Sequence, residues 1–486
     1  MELKDIKNIN QRIYELDTEI SRNNKVIFIA SVFICYELNE NFRQYNSPKF
    51  PINFSSNTNP VNQIVDLAKE EIEKLDLQPK TKKAVFDSLN TIIGANTKLD
   101  HNRQNLRNFI EFLINKRSEI NPEDLFFENL YMEIDKKAKN SDTGIVLTPI
   151  FAAKLMEELA ELNYKQDVVL DLCSGTGLFS LLAYNKMKTD FEKDKKLGKL
   201  NDEEIKKYEI KLKNSIIAND IDPKMITLCF TNFLLNHINE HLIYNEDVFK
   251  LENSSFKLGD TTVQGTKVIL NPPYEDKYKP IEIIEKCISL VQNDEIDSKV
   301  VVILPPQKFG QKKLEFAKVL NSATLETVIK MQDDLFKDSG TGVSTSIFVF
   351  NGNKYHEKDD KIYYYNFTDT GYVYLKDSGL KDKNNTYESK KAALLEKIKH
   401  RSTKSLNNFT RTWTNFYEVN KEQEIVTTID PDKVKLSKEE ADITLENITI
   451  KKMLGEKDAL VKSVNNNFID KDGSFENYII DILSED

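Results

Sequence analysis

Asn271-Pro272-Pro273-Tyr274 has the residue types needed to hold a planar amino group. The amide oxygen of Asn271 and the carbonyl of Pro272 are two acceptors for one NH2 group. Pro273 has no N–H to offer and keeps the turn stiff. The ring of Tyr274 provides a surface on which a heterocycle can stack, worth about 1–3 kcal/mol. Two acceptors on an aromatic amine draw its nitrogen out of conjugation and steer its lone pair toward an electrophile. If that electrophile is a sulfonium, no strong base is required and alignment is the chief demand. The bland alternative is a proline turn after a buried strand.

A second set lies upstream. Asp171-Leu172-Cys173-Ser174-Gly175-Thr176-Gly177 follows the apolar run Val168–Leu170. Gly175 and Gly177 let the backbone turn tightly and approach a ligand before the next helix. The small side chain of Cys173 suits the same loop. A nucleotide fingerprint would place a third glycine where this chain has Ser180. Asp171 at the loop's start repels phosphate and suits a cationic ligand such as an α-ammonium group. The next β-rich run ends Asn219-Asp220-Ile221-Asp222-Pro223. An acid at Asp220 can accept both hydroxyls of a ribose, and Ile221 can cover an adenine face. A third run ends at Glu246-Asp247, where Asp247 can accept from an exocyclic amino group. Each acid alone reads equally well as a solvated strand end. Three at the ends of three successive strands read as a site.

The elements that position these residues follow from periodicity. From about Gly144, β-rich runs alternate with helical ones: Asp167–Leu172, Ser215–Asn219, His241–Asn245, Lys267–Leu270, Lys299–Leu304, Thr324–Met331 and Ser344–Phe350. Seven strands so spaced predict an α/β fold with a doubly wound sheet. The last two, close in sequence, predict an antiparallel pair at its edge. Such sheets bind ligands at the C-terminal ends of their strands. Residues 1–140 read as an all-helical N-terminal domain, with one long pattern from Ile13 to about Phe42. Further helices are expected near Val61–Leu75, Thr81–Ile93 and Asn105–Lys116, and another opens at Pro122. No site chemistry is visible there. The charged run between Asn185 and Asn214 reads as a solvated helical insertion. Residues 352–400 suggest a small extension, and 401–486 resist assignment to any fold.

These motifs in this order resemble the N6-adenine DNA methyltransferases of the gamma arrangement. The resemblance covers about residues 141–351. It casts Asp171–Gly177 as an S-adenosylmethionine loop and Asn271–Tyr274 as the catalytic motif. Leu147-Thr148-Pro149-Ile150 is similar to the family's cofactor-carboxylate motif. Leu335-Phe336 and Gly340–Ser346 resemble a segment shared by modification subunits of type I restriction systems. The resemblance implies that Thr148, Asp171, Gly175, Asp220 and Asp247 bind cofactor, while Asn271 and Tyr274 hold a flipped adenine. It also implies DNA as substrate, a specificity subunit as partner, and a nuclease or translocase subunit as a further one.

The bulk properties agree with such a subunit. A net charge of −10 over 486 residues ill suits a protein that coats nucleic acid alone, and no DNA-reading motif is visible. The four cysteines are dispersed, which argues against a disulfide framework or structural zinc. His237 and His241, four apart, lack the further ligands of a zinc site. The most apolar early run, Val26–Tyr36, is about half the ~20 residues that span a bilayer, so a cytoplasmic protein is expected. Leu304–Gly310 follows the fifth strand and could wall a base pocket or be a plain strand exit. Other readings stay open: a stand-alone adenine methyltransferase, methylation of RNA or of a protein glutamine, and a non-enzymatic assembly subunit that keeps a structural cofactor.

Overall fold

The computed structural model describes residues 3–16, 22–93, 103–120, 125–135, 147–292, 296–337, 343–357, 360–375, 379–402 and 408–412. By compactness the chain divides into two units, Met1–Pro273 with Asp338–Thr341, and Tyr274–Lys337 with Gly342–Asp486. This division differs from the four segments expected from the sequence. The helical segment and the first four strands belong to one unit. Gly340–Gly342 and the region after residue 412 lie outside the described residues.

The first unit begins with helices α1 (Leu3–Leu16), α2 (Arg22–Leu38), α3 (Glu40–Arg43), α4 (Pro60–Glu73), α5 (Pro79–Ile93), α6 (Arg103–Arg117) and α7 (Phe126–Asp135). The single long pattern expected up to Phe42 is therefore several helices. Asn39 breaks it by capping α3, its side chain accepting the Phe42 N–H. Pro122 lies outside the described residues, and the helix expected there is described from Phe126. Buried Val26–Cys35 makes α2 the centre of this segment, and α4, α5, α6 and α7 pack on it.

There follow α8 (Ile150–Leu159), β1 (Val169–Asp171), α9 (Leu178–Lys196), α10 (Asp202–Lys213), β2 (Ile216–Asn219), α11 (Pro223–Asn236), β3 (Ile243–Tyr244), the short pair β4 (Lys257–Leu258) and β5 (Thr261–Thr262), and β6 (Lys267–Leu270). The order β3-β2-β1-β6 is parallel throughout, so all four C-terminal ends open on one edge. Every residue of these strands is buried, as expected of parallel strands covered on both faces. Asp222 caps α11 through the Lys224 N–H, and Pro223 starts it. That helix is buried on nearly all sides, and α2 and α5 pack on it. The charged insertion is helical as expected. Its pairs Lys186–Asp190, Lys195–Glu209 and Lys199–Asp194 are solvent-accessible, so each contributes little.

The second unit holds α12 (Pro280–Val291), β7 (Lys299–Leu304), α13 (Gln307–Gln311), α14 (Lys313–Ser322), β8 (Thr324–Met331), β9 (Ser346–Asn351), β10 (Lys361–Phe367), β11 (Tyr372–Leu375), β12 (Gly379–Asp382), α15 (Tyr387–Lys399) and β13 (Asn408–Thr412). Here β9 lies between β7 and β8, antiparallel to both. The antiparallel pair expected from sequence exists, but it is not an edge. Strand β10 joins β8 in parallel, and β13 joins β10 antiparallel. The physical reason is burial: Ile362, Tyr364, Tyr365 and Phe367 of β10 are core side chains.

Candidate active site

All three strand-end acids lie at the open edge of the parallel strands. Asp171 closes β1 and is wholly buried. Its Oδ2 accepts the Ser180 N–H at 3.0 Å and the Ser180 hydroxyl at 2.8 Å. The serine in place of a third glycine thus anchors the first turn of α9 to this acid. The Oδ1 of Asp171 is buried with no hydrogen-bond partner.

The loop that follows is shaped by its two glycines. Gly175 has φ +53°, with open space where a Cβ would stand. Its N–H donates to Asp220 Oδ2 at 2.8 Å. Gly177 has φ +89°, and a Cβ there would come within 3.0 Å of Cys229 Sγ. Backbone conformation and close approach both require glycine at that position. Cys173 is half-buried in the same loop.

Asp220 is partly buried, and its Oδ1 accepts the Asp222 N–H at 2.9 Å. Ile221 beside it is 69% exposed, unusual for a large apolar side chain. Asp247 is half-buried, its carboxylate accepting the Phe249 N–H at 3.1 Å. Asn219 gathers these ends. Its amide donates to the Leu172 and Glu246 carbonyls and accepts from the Glu246 N–H, while its own carbonyl takes the Ser174 N–H. Sequence reading gave Asn219 no role, although a buried polar residue closing an apolar strand is a usable signal.

Burial raises the pKa values at this edge. The Asp171 carboxyl is pushed up to about 7, first by burial and then by the charge of Asp220. Burial pushes Asp220 up to about 6. No cationic side chain stands among the leading influences on either. Such a site disfavours a phosphate-bearing ligand and favours one that brings positive charge. The unmatched Asp171 Oδ1, the open face at Gly175 and the exposed Ile221 fit a cationic nucleoside such as S-adenosylmethionine.

Asn271 follows β6, in the same unit as these acids. Its Nδ2 donates to Thr148 Oγ1 at 2.9 Å, and Thr148 is buried just before α8. The bond turns the amide oxygen away from Thr148. Pro272 is buried and Pro273 half-buried. Tyr274 begins the second unit, where its ring meets Phe336 edge-on at 6.0 Å and 86°. Its hydroxyl is buried with no hydrogen-bond partner, and burial pushes the phenol well above its usual range.

The weaker sequence signals resolve differently. His237 ends α11 in a left-handed conformation, φ +56°, and His241 lies in the next turn, so the two do not share a helix face. Leu304–Gly310 leads into α13, where Phe309 is a core ring packed on Phe316 and Phe348. Lys308 pairs with Asp276 at 2.7 Å.

Residues 126–301 match the model of the N-6 DNA Methylase family. Over 268 residues the chain is 29% identical to the type II restriction enzyme and methyltransferase RM.BcgI of Heyndrickxia coagulans, covering 52% of this chain and 38% of that protein. The chain thus spans well under half the length of this relative. In fold it is similar to a chain described as a modification subunit of a type I restriction enzyme from Vibrio vulnificus YJ016. That likeness has a TM-score of 0.53 at 15% identity, over 85% of this chain and 91% of that one. A chain from a structure of complex assembly in the type I R-M system gives 0.58 at 14% identity, over 95% and 98%. At such identities the structural likeness concerns fold alone. The resemblance to N6-adenine methyltransferases, drawn above from motifs, is borne out by the family match and by the methyltransferase relative.

Proposed function

We propose that this protein transfers a methyl group from S-adenosylmethionine to N6 of an adenine flipped out of DNA, as the modification subunit of a restriction-modification system. The observation that carries the reading is the 2.9 Å bond from Asn271 to Thr148. It fixes the Asn271 amide at the strand edge that carries Asp171, Asp220 and Asp247. The bound cofactor supplies an electrophilic methyl group on a sulfonium.

The chain's own residues bind and align. Asp171 takes the α-ammonium group, Asp220 the ribose hydroxyls, Ile221 one face of the cofactor's adenine, and Asp247 its amino group. Cys173, Gly175 and Gly177 keep the loop small enough for close approach. Thr148 orients the Asn271 amide in addition to the cofactor-carboxylate contact expected of it. Asn271 and Pro272 accept the two N–H bonds of the target amine, Pro273 stiffens the turn, and the Tyr274 ring stacks on the base. The transferred methyl leaves a neutral thioether, and the proton released from the amine passes to water. Extruding the base costs a few kcal/mol, and an acidic chain without a DNA-reading motif fits recognition by a separate specificity subunit in the cytoplasm. Residues 141–351 would be the catalytic segment, 1–140 a helical one, 352–400 a small extension and 401–486 a partner-binding region.

The test is incubation with labelled S-adenosylmethionine and DNA, alone and with a specificity subunit. Labelled N6-methyladenine is expected in at least one setting. Absence of label in both would overturn the proposal, and label in RNA or protein instead would redirect it.

A further inference from the structure

The helical segment, silent in the sequence, sends one carboxylate to the glycine loop. Glu128 on α7 is 2% exposed, and its Oε2 accepts the hydroxyl of Thr176, the residue between the two loop glycines. The carbonyl of Thr176 accepts the Asn232 amide of α11 at 2.8 Å. Thr176 is therefore gripped at both ends. Helix α7 is itself fixed: Phe126 and Phe127, the two residues before Glu128, meet Phe33 of α2 edge-on at 5.3 and 6.2 Å. A buried acid is costly to keep unless something repays its desolvation, and one hydroxyl does so only in part. A glutamine or an apolar side chain would serve packing alone.

We infer that Glu128 is a positioning residue of the cofactor loop, holding Thr176 and adding negative charge that favours the cationic methyl donor over the neutral thioether product. This rests on the reading of S-adenosylmethionine as the ligand. Burial pushes Glu128 up to about 7, so a cation placed nearby would favour its charged form.

The experiment measures equilibrium binding of S-adenosylmethionine and S-adenosylhomocysteine, by calorimetry at neutral pH, to wild type, Glu128→Gln and Thr176→Val. Glu128→Gln keeps the shape and a hydrogen-bonding group but removes the charge. It should weaken the donor by about tenfold and the product by no more than about twofold, as loss of one nearby charge predicts. Thr176→Val loosens the loop and should weaken both. Hydrogen exchange at Gly175–Gly177 in the ligand-free proteins should be faster in Thr176→Val than in wild type, a readout that needs no ligand. An unchanged donor-to-product ratio in Glu128→Gln, or unchanged exchange in Thr176→Val, overturns the inference while leaving the methyltransferase reading intact. Failure of the wild type to bind either compound overturns both.

Discussion

The glycine loop at residues 171–177 and the tetrapeptide at 271–274 sit after parallel strands of the same sheet edge, yet they are built in opposite ways. The first is held by side chains from several elements: Ser180 on Asp171, Asp220 on Gly175, Glu128 and Asn232 on Thr176. The second combines the covalent stiffness of two prolines with the bond from Asn271 to Thr148. Under the proposed function, a loop that fits one cofactor can be fixed in advance by many bonds, and a loop that grips an extruded base needs rigidity. Preorganisation is thus reached once through hydrogen bonds and once through ring constraint.

The largest effect should come from breaking the tetrapeptide. Asn271→Ala should lower methyl transfer by about 10²–10³-fold, the usual range for removing one preorganised polar group. Donor affinity measured by dialysis should stay within about twofold, and a parallel loss of affinity would dissolve the distinction between the loops. Thr148→Val, which frees the amide to rotate and removes the expected cofactor-carboxylate contact, should cost about tenfold in kcat and also weaken donor binding severalfold.

The glycine loop should fail in the other sense. Asp171→Asn should weaken donor binding by about tenfold or more while raising the melting temperature of the ligand-free protein. The sign follows from the raised Asp171 pKa, about 7 against 3.8 ordinarily. Between those values the folded state holds a proton that the unfolded chain has released, so this group's contribution to stability falls as pH rises. Above about 7 the deficit is complete, and below about 4 it vanishes. The stabilising effect of Asp171→Asn should therefore grow from pH 5 to pH 8, reaching about 1–2 kcal/mol. Wild-type donor affinity should rise over the same interval as Asp171 and Asp220 ionise.

The smallest effect concerns Tyr274. Its buried hydroxyl has no partner, so Tyr274→Phe should be neutral or stabilising by up to about 1 kcal/mol, with stacking preserved. Thermal melts and DNA titrations check both. A marked loss of base binding in this variant would show that the Tyr274 hydroxyl itself takes part in holding the base.

Much of this site was legible because parallel topology turns strand ends into neighbours: Asp171, Asp220, Asp247 and Asn271 could be placed at one edge from apolar runs alone. What escaped were residues whose meaning lies in distant contacts. Glu128 and Thr176 are 48 positions apart, and Asn219 matters only once β1 and β3 flank it. Ser180 read as a defect in a glycine pattern, and its bond to Asp171 shows it as a fixture. The supposed edge pair failed for a related reason. A tyrosine-rich strand pattern shows that a strand exists, not which neighbour it takes.

That neighbour has a practical consequence. Strand β10 covers the backbone groups of β8 along Thr327–Met331, so a chain cut at residue 351, where the methyltransferase motifs end, would leave those groups open. An uncovered row of amides beside Val328 and Ile329 is a template for another molecule's strand. The shortest version of this protein that stays dispersed at high concentration should therefore extend past Phe367, although no residue there belongs to the motifs that resemble a methyltransferase.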